Sequence, residues 1–181
     1  FYASYHDNFV NQLIHIVCVW PIFFTAVLFF QYTPNLPYSD VIQNYLPNGF
    51  SCTYGLPLVL FYFFFYLFIE LPGIIGPLCS LIVYITFITT NYIRHTYEDS
   101  WKIATVIHII AWLAQFYGHG VYEGRSPALL DNLFGAIVMA PLFVTMEVAF
   151  FLGYKAEFRA RVNEIVKENI KRFHAESSKK K

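Results

Sequence analysis

Apolar residues in this chain come in long runs separated by short polar stretches. By hydropathy the runs fall at about Leu13–Phe30, Tyr54–Leu71, Gly73–Tyr92, Trp101–Tyr117 and Asn132–Tyr154. Each approaches the about 20 residues that a helix needs to cross a bilayer. The pattern predicts an all-α membrane bundle of about five spans (four to five, since Pro72 and Pro77 could turn the middle two into a re-entrant hairpin). Between the first two runs, Gln31–Thr53 carries Pro34, Pro37, Pro47 and Gly49 without an apolar period, and reads as a loop too polar for lipid. Glu70-Leu71-Pro72-Gly73 predicts a tight turn or kink, because proline removes a backbone donor and glycine permits the bend. Ile93–Ser100 is a short polar connector, and Gly118–Leu130 reads as polar and turn-rich.

The period changes after residue 154. Phe158, Val162, Ile165 and Phe173 recur at helical spacing, with Glu157/Arg161 and Glu168/Arg172 as i,i+4 pairs. That predicts an amphipathic helix over 155–173, lying on the membrane surface or against the domain. The organisation expected is a membrane-embedded catalytic helical domain over 1–154 and an amphipathic helix with a basic tail over 155–181. The closing Ser-Ser-Lys-Lys-Lys reads as a solvated cytosolic tail, with a faint signal for retrieval to the endoplasmic reticulum. Counting Lys and Arg around the spans also favours a cytosolic C-terminus.

Composition supports a bilayer. Of 181 residues, 57% are hydrophobic, 20% aromatic and only 13% charged, against about 25% charged in soluble domains. A soluble fold of this size could bury one such helix, not four or five. Lys+Arg and Asp+Glu number 12 each, so no field of one sign exists to attract nucleic acid. Cys18, Cys52 and Cys79 lie far apart without a C-x-x-C pair, which argues against a disulfide framework or structural zinc. The chain opens on Phe1 rather than methionine, giving the expectation that the native N-terminus lies upstream.

Ionisable residues in a bilayer protein are costly and so are the first candidates for function. His6, Asn8, Asn11 and His15 open the first span, the last three on one helical face. His6 can join His15 only if the helix starts after it, with Asp7 or Asn8 as N-cap. His108, Trp112, Gln115, His119 and Glu123 form one stripe if the fourth helix runs past Gly118. His119 and Glu123, at i,i+4, could face one metal ion; a hydrogen-bonded polar seam between helices is the plainer reading of the same spacing. Five spans put His6, His15, His119 and Glu123 near one membrane face, with His95 and the tail on the other. Three imidazoles and a carboxylate suit non-haem iron(II), and zinc or manganese would fit these ligand types nearly as well. His95 and His108 form a second tier of metal candidates.

At these residues the chain resembles a small membrane family whose fungal member is an iron(II)-dependent 2-hydroxy fatty acid dioxygenase. The first signature resembles H-x-N-x-x-N-x-x-x-H, met by His6, Asn8, Asn11 and His15. The second resembles Q-F-x-G-H-x-x-x-E-x-x-x-P-A-L-x-D-N-L, met by Gln115, Phe116, Gly118, His119, Glu123, Pro127, Ala128, Leu129, Asp131, Asn132 and Leu133. Phe9 departs from the pattern, since the family often has proline there. The resemblance implies α-oxidation at the endoplasmic reticulum membrane. A 2-hydroxy fatty acid would lose its carboxyl carbon with O2 as oxidant and Fe(II) as cofactor, in breakdown of the long-chain base phytosphingosine. His6, His15, His119 and Glu123 would hold the metal, with His119 and Glu123 at the chemistry. Arg125 would grip the substrate carboxylate or else snorkel at the surface. Asn8, Asn11 and Gln115 would orient the histidines; Asp131 would do so too, or cap the fifth helix. Two other classes stay open: a small transporter relaying protons through buried histidines, and a metal-free lipid-binding scaffold.

Overall fold

The computed structural model describes residues 6, 8–45, 50–70, 72–124 and 133–179. Among these residues every regular element is helical: α1 Phe9–Phe30, α2 Ser39–Gln43, α3 Gly55–Ile69, α4 Ile75–Thr96, α5 Ser100–Tyr117, α6 Leu133–Phe151 and α7 Ala156–Lys179. Beyond α5 the chain continues as a π-helix over Gly118–Glu123, where the sequence pattern predicted a turn-rich stretch. Of the described helices, α1, α4 and α6 are both long and apolar enough to cross a bilayer, so the chain is a membrane protein. With 15 residues, α3 reaches only about 22 Å, short of the about 30 Å of hydrocarbon in a bilayer. α5 is long enough, but Lys102, His108 and Gln115 interrupt it.

The chain clusters into two compact units, one drawn from Phe1–Ile16 and Gln115–Lys181, the other from Val17–Ala114. In the second unit α3 and α4 pair as a hairpin. Glu70 Oε2 accepts the N–H groups of Ile75 at 2.7 Å and Gly76 at 2.9 Å, satisfying donors that the start of α4 leaves over. Ser80 donates its hydroxyl to the Phe63 carbonyl across the pair at 2.8 Å. Gly76 allows this approach, because a Cβ there would collide with the Tyr66 carbonyl oxygen. The polar segment before α3 is tied down by buried side chains. Thr53 donates to Gln31 Oε1 at 2.8 Å, and the Ser51 N–H to Asn91 Oδ1 at 3.0 Å.

Burial along α3 reveals which solvent the fold expects. Tyr62 and Tyr66 are inside at 5% and 0% exposure, while Phe61, Phe64 and Phe68 face out at 45%, 50% and 63%. In water the order would reverse, since the phenol carries the polar handle. Lipid rewards the opposite choice, because backbone and side-chain polar groups must find partners inside. α5 follows the same rule: Ile103, Ile110 and Leu113 are exposed, and His108 is satisfied within its unit. Trp112 Nε1–H donates to His108 Nε2 at 3.0 Å, which leaves Nδ1–H to donate to Thr25 Oγ1 at 2.7 Å. The Thr25 hydroxyl in turn donates to the Pro21 carbonyl at 2.8 Å.

In the other unit, α6 ends in a turn through Gly153 at φ 89°, which suits glycine. Arg159 of α7 donates to the Phe150 carbonyl at 2.9 Å and lies over the Phe151 ring. A cation thus meets the negative end of the α6 dipole. The helix expected over 155–173 forms as Ala156–Lys179, starting one residue later because Lys155 takes a positive φ, and running on to Lys179.

Gly76→Ala should wedge the α3–α4 hairpin apart and cost about 1–3 kcal/mol, the usual scale of overpacking. A lowered Tm of the detergent-solubilised protein is the check.

Candidate metal centre

The centre begins at the start of α1. Asn8 caps this helix, its Oδ1 accepting the Val10 N–H at 2.9 Å while its carbonyl accepts the Gln12 N–H at 3.0 Å. The cap leaves His6 outside the helix, free of the phase that would turn it away from His15. Gln12 Nε2 donates to the His6 carbonyl at 2.6 Å and folds that residue back over the first turn. Sequence spacing gave no sign of this bond. His119 arrives from the π-helix, a rare form that recurs at functional sites.

The three imidazoles meet. Ring centroids lie 4.3 Å apart for His6 and His15, and 4.9 Å for His119 with each of the others. The planes cross at 70–81°, so the rings surround a point rather than stack. All three are buried, at 3–4% exposure. One ligand nitrogen of each lies within 4.8 Å of the others. A metal–nitrogen bond of about 2.1 Å sets ligand nitrogens roughly 3–4 Å apart, so small side-chain rotations would close the group on one ion. The donor set fits a divalent transition metal with positions left for other ligands. His15 Nδ1–H donates to the Asn11 carbonyl at 2.9 Å. Because that carbonyl can only accept, the lone pair is on Nε2, the state a metal needs.

Glu123 lies outside this group. Its Oε1 accepts the Asn8 N–H at 2.9 Å and Asn11 Nδ2–H at 3.0 Å. The carboxylate thereby sits at the positive end of α1 and ties the π-helix to it. Gly118, quoted in the sequence motif without a role, has one here: a Cβ would strike Asn11 Oδ1. Gln115 is buried, at 9% exposure.

A family model described as 2-hydroxy-palmitic acid dioxygenase Mpo1-like matches residues 1–152. The chain belongs to the Mpo1-like family. It is also 30% identical over 175 residues to 2-hydroxy-palmitic acid dioxygenase MPO1 of Saccharomyces cerevisiae (strain ATCC 204508 / S288c), covering 94% of this chain and 90% of that protein. No solved structure matches. Membership in a dioxygenase family makes the chain an enzyme by descent.

The remaining candidates of this Mpo1-like chain sit elsewhere. His95, at the end of α4, shares a hydrogen bond of 2.9 Å with Ser51 Oγ. Both ring nitrogens of His108 are engaged by Trp112 and Thr25, the polar-seam arrangement. Arg125 and Asp131 fall outside the described residues, as does Asp7.

Gly118→Ala should displace the Asn11 side chain and break its bond to Glu123, loosening the joint that brings His119 to the α1 histidines. Cobalt(II) titration of the purified chain should show affinity lowered about 10–100-fold, the range for groups that orient metal ligands. Gly120→Ala is the matched control, since a Cβ there meets nothing within 4 Å.

Proposed function

We propose that this chain is a membrane dioxygenase that converts 2-hydroxy fatty acids to the acid one carbon shorter, using O2 and an iron(II) held by His6, His15 and His119. One observation carries the reading: three buried imidazoles, from the start of α1 and from the π-helix, converge within 4.8 Å in a chain of the Mpo1-like family. When bound, iron(II) supplies the one-electron chemistry that lets O2 react with a spin-paired organic acid. The overall change needs no other reductant. Converting a 2-hydroxy acid to carbon dioxide and the shorter acid releases four electrons, and one O2 takes up four.

The chain's own residues hold, orient and desolvate. His15 keeps Nε2 as its ligand atom because Nδ1–H is committed to the Asn11 carbonyl. Glu123 is better cast as a positioning residue than as the ligand or catalytic group its spacing suggested. Its oxygen is occupied by Asn8 and Asn11, so it fixes the two segments that carry the histidines. Burial of the rings keeps bulk water from the reacting centre. Arg125, two residues beyond Glu123, is the proposed partner of the substrate carboxylate, which its planar guanidinium would grip through two parallel hydrogen bonds. The membrane-embedded part, 1–154, would carry the activity, and 155–181 would serve attachment and address. Placement in the endoplasmic reticulum, and service to phytosphingosine breakdown, complete the reading.

The test is incubation of purified protein with Fe(II), O2 and 2-hydroxypalmitate. The expected product is the C15 acid, with iron near one per chain. His6→Ala, His15→Ala and His119→Ala should each abolish both activity and iron retention. Iron retained by His119→Ala would refute the ligand set, and no C15 acid from iron-loaded protein would refute the reaction. Arg125→Lys should raise KM more than it lowers kcat, because it weakens the hold on the substrate and not the metal.

A further inference from the structure

The unit spanning Val17–Ala114 contains a cleft lined by none of the three histidines. It has a volume of about 1250 Å3 and runs among α1, α4 and α5. Its walls are hydrocarbon, with Trp20, Leu28, Ile82 and Ile107 among them. Its charged lining residues gather at one end: Glu98 and Asp99 in the connector between α4 and α5, and Lys102 in the first turn of α5. The cleft is therefore an amphiphile's mould, apolar along its length and charged at one end.

Two observations say which amphiphile. The first is size. Pockets for drug-sized molecules, a class that includes a single fatty acid, hold about 300–1000 Å3; this one is larger and suits two acyl chains. The second is the lip. Lys102 Nζ lies 3.0 Å from Asp99 Oδ2, and both side chains are exposed, so the pair can open to a ligand at little cost. With Glu98, the lip offers a cation and two carboxylates, which complements a zwitterion and repels a head group of net negative charge. Tyr92, Tyr97 and Trp101 stand exposed around the same connector at 63%, 59% and 45%. Exposed Tyr and Trp gather where hydrocarbon meets head groups, which sets the lip at head-group depth and the walls along the acyl region.

We propose that this cleft binds one diacyl glycerophospholipid with a zwitterionic head. Its chains lie along α1, α4 and α5, its phosphate meets Lys102, and its ammonium meets Glu98 and Asp99. The lipid fills the space among three helices that the protein's own side chains leave open.

Native mass spectrometry of the full chain, recovered from vesicles of equal phosphatidylethanolamine and phosphatidylglycerol, tests this. One phosphatidylethanolamine per chain is expected to survive. Ile107→Trp fills the cleft from its half-exposed wall, and Ala104→Leu fills it from the buried side. Either should cut the retained fraction about tenfold. Charge reversal by Glu98→Lys with Asp99→Lys should move the preference to phosphatidylglycerol. The proposal is overturned if no lipid survives, or if the filling variants retain as much as the parent. An unmoved head-group preference overturns it equally, as does one-for-one displacement of the lipid by added 2-hydroxypalmitate.

Discussion

Asn11 is the residue on which the centre turns. Its Nδ2–H donates to Glu123, its carbonyl accepts the His15 Nδ1–H, and its Oδ1 occupies the space that Gly118 leaves. Two segments 112 residues apart in sequence are joined through this one fully buried side chain. Glu123 reinforces the joint by accepting the Asn8 N–H at the start of α1. Half-buried, the Glu123 carboxylate keeps two donors on one oxygen, which offsets the water it gives up. Removing the Glu123 carboxylate would free both the Asn8 N–H and the Asn11 amide, so these bonds across the joint stand or fall together.

Lipid as solvent shapes the rest of the helical core. Buried polar residues such as Asn11, Gln31, Thr90 and Asn91 find partners inside, while Ile, Leu and Phe side chains cover the exterior. Nothing in the acyl region competes for a hydrogen bond, so a satisfied polar cluster has no wet alternative. Pro21 and Pro141 stand inside α1 and α6, and the threonine four residues beyond each donates its hydroxyl to the proline carbonyl. Such side-chain bonds help a helix absorb proline where water is absent.

Much of this was legible in the chain. The runs of apolar residues mark the helices within a few positions, and the Asx pair before Phe9 marks the cap, which falls on Asn8. What stayed illegible concerns direction. Spacing of four places His119 and Glu123 near one another on a helix, but it does not say whether a carboxylate points to a metal or to another helix's N-terminus. His108 shares the stripe, yet its partners are Trp112, four residues on, and Thr25, from a different helix. Only the second of these lies beyond reach of a helical pattern. The short helix Ser39–Gln43 buries no residue, and so leaves no apolar period to read.

The π-helix resolves how one stripe serves two ends. In an α-helix, residues four apart project almost together, and His119 and Glu123 would aim at the same point. The wider turn over Gly118–Glu123 changes the angle between them. His119 then faces the other two imidazoles while Glu123 reaches Asn8 and Asn11. Gly124 closes the segment at φ 63°, its N–H returning to the His119 carbonyl, a conformation that favours glycine. The backbone bond from Gly124 and the side-chain bonds from Glu123 thus fix His119 from two directions. Regular α-helical geometry would have supplied one of these restraints and displaced the other, so the irregular turn is the condition for having both.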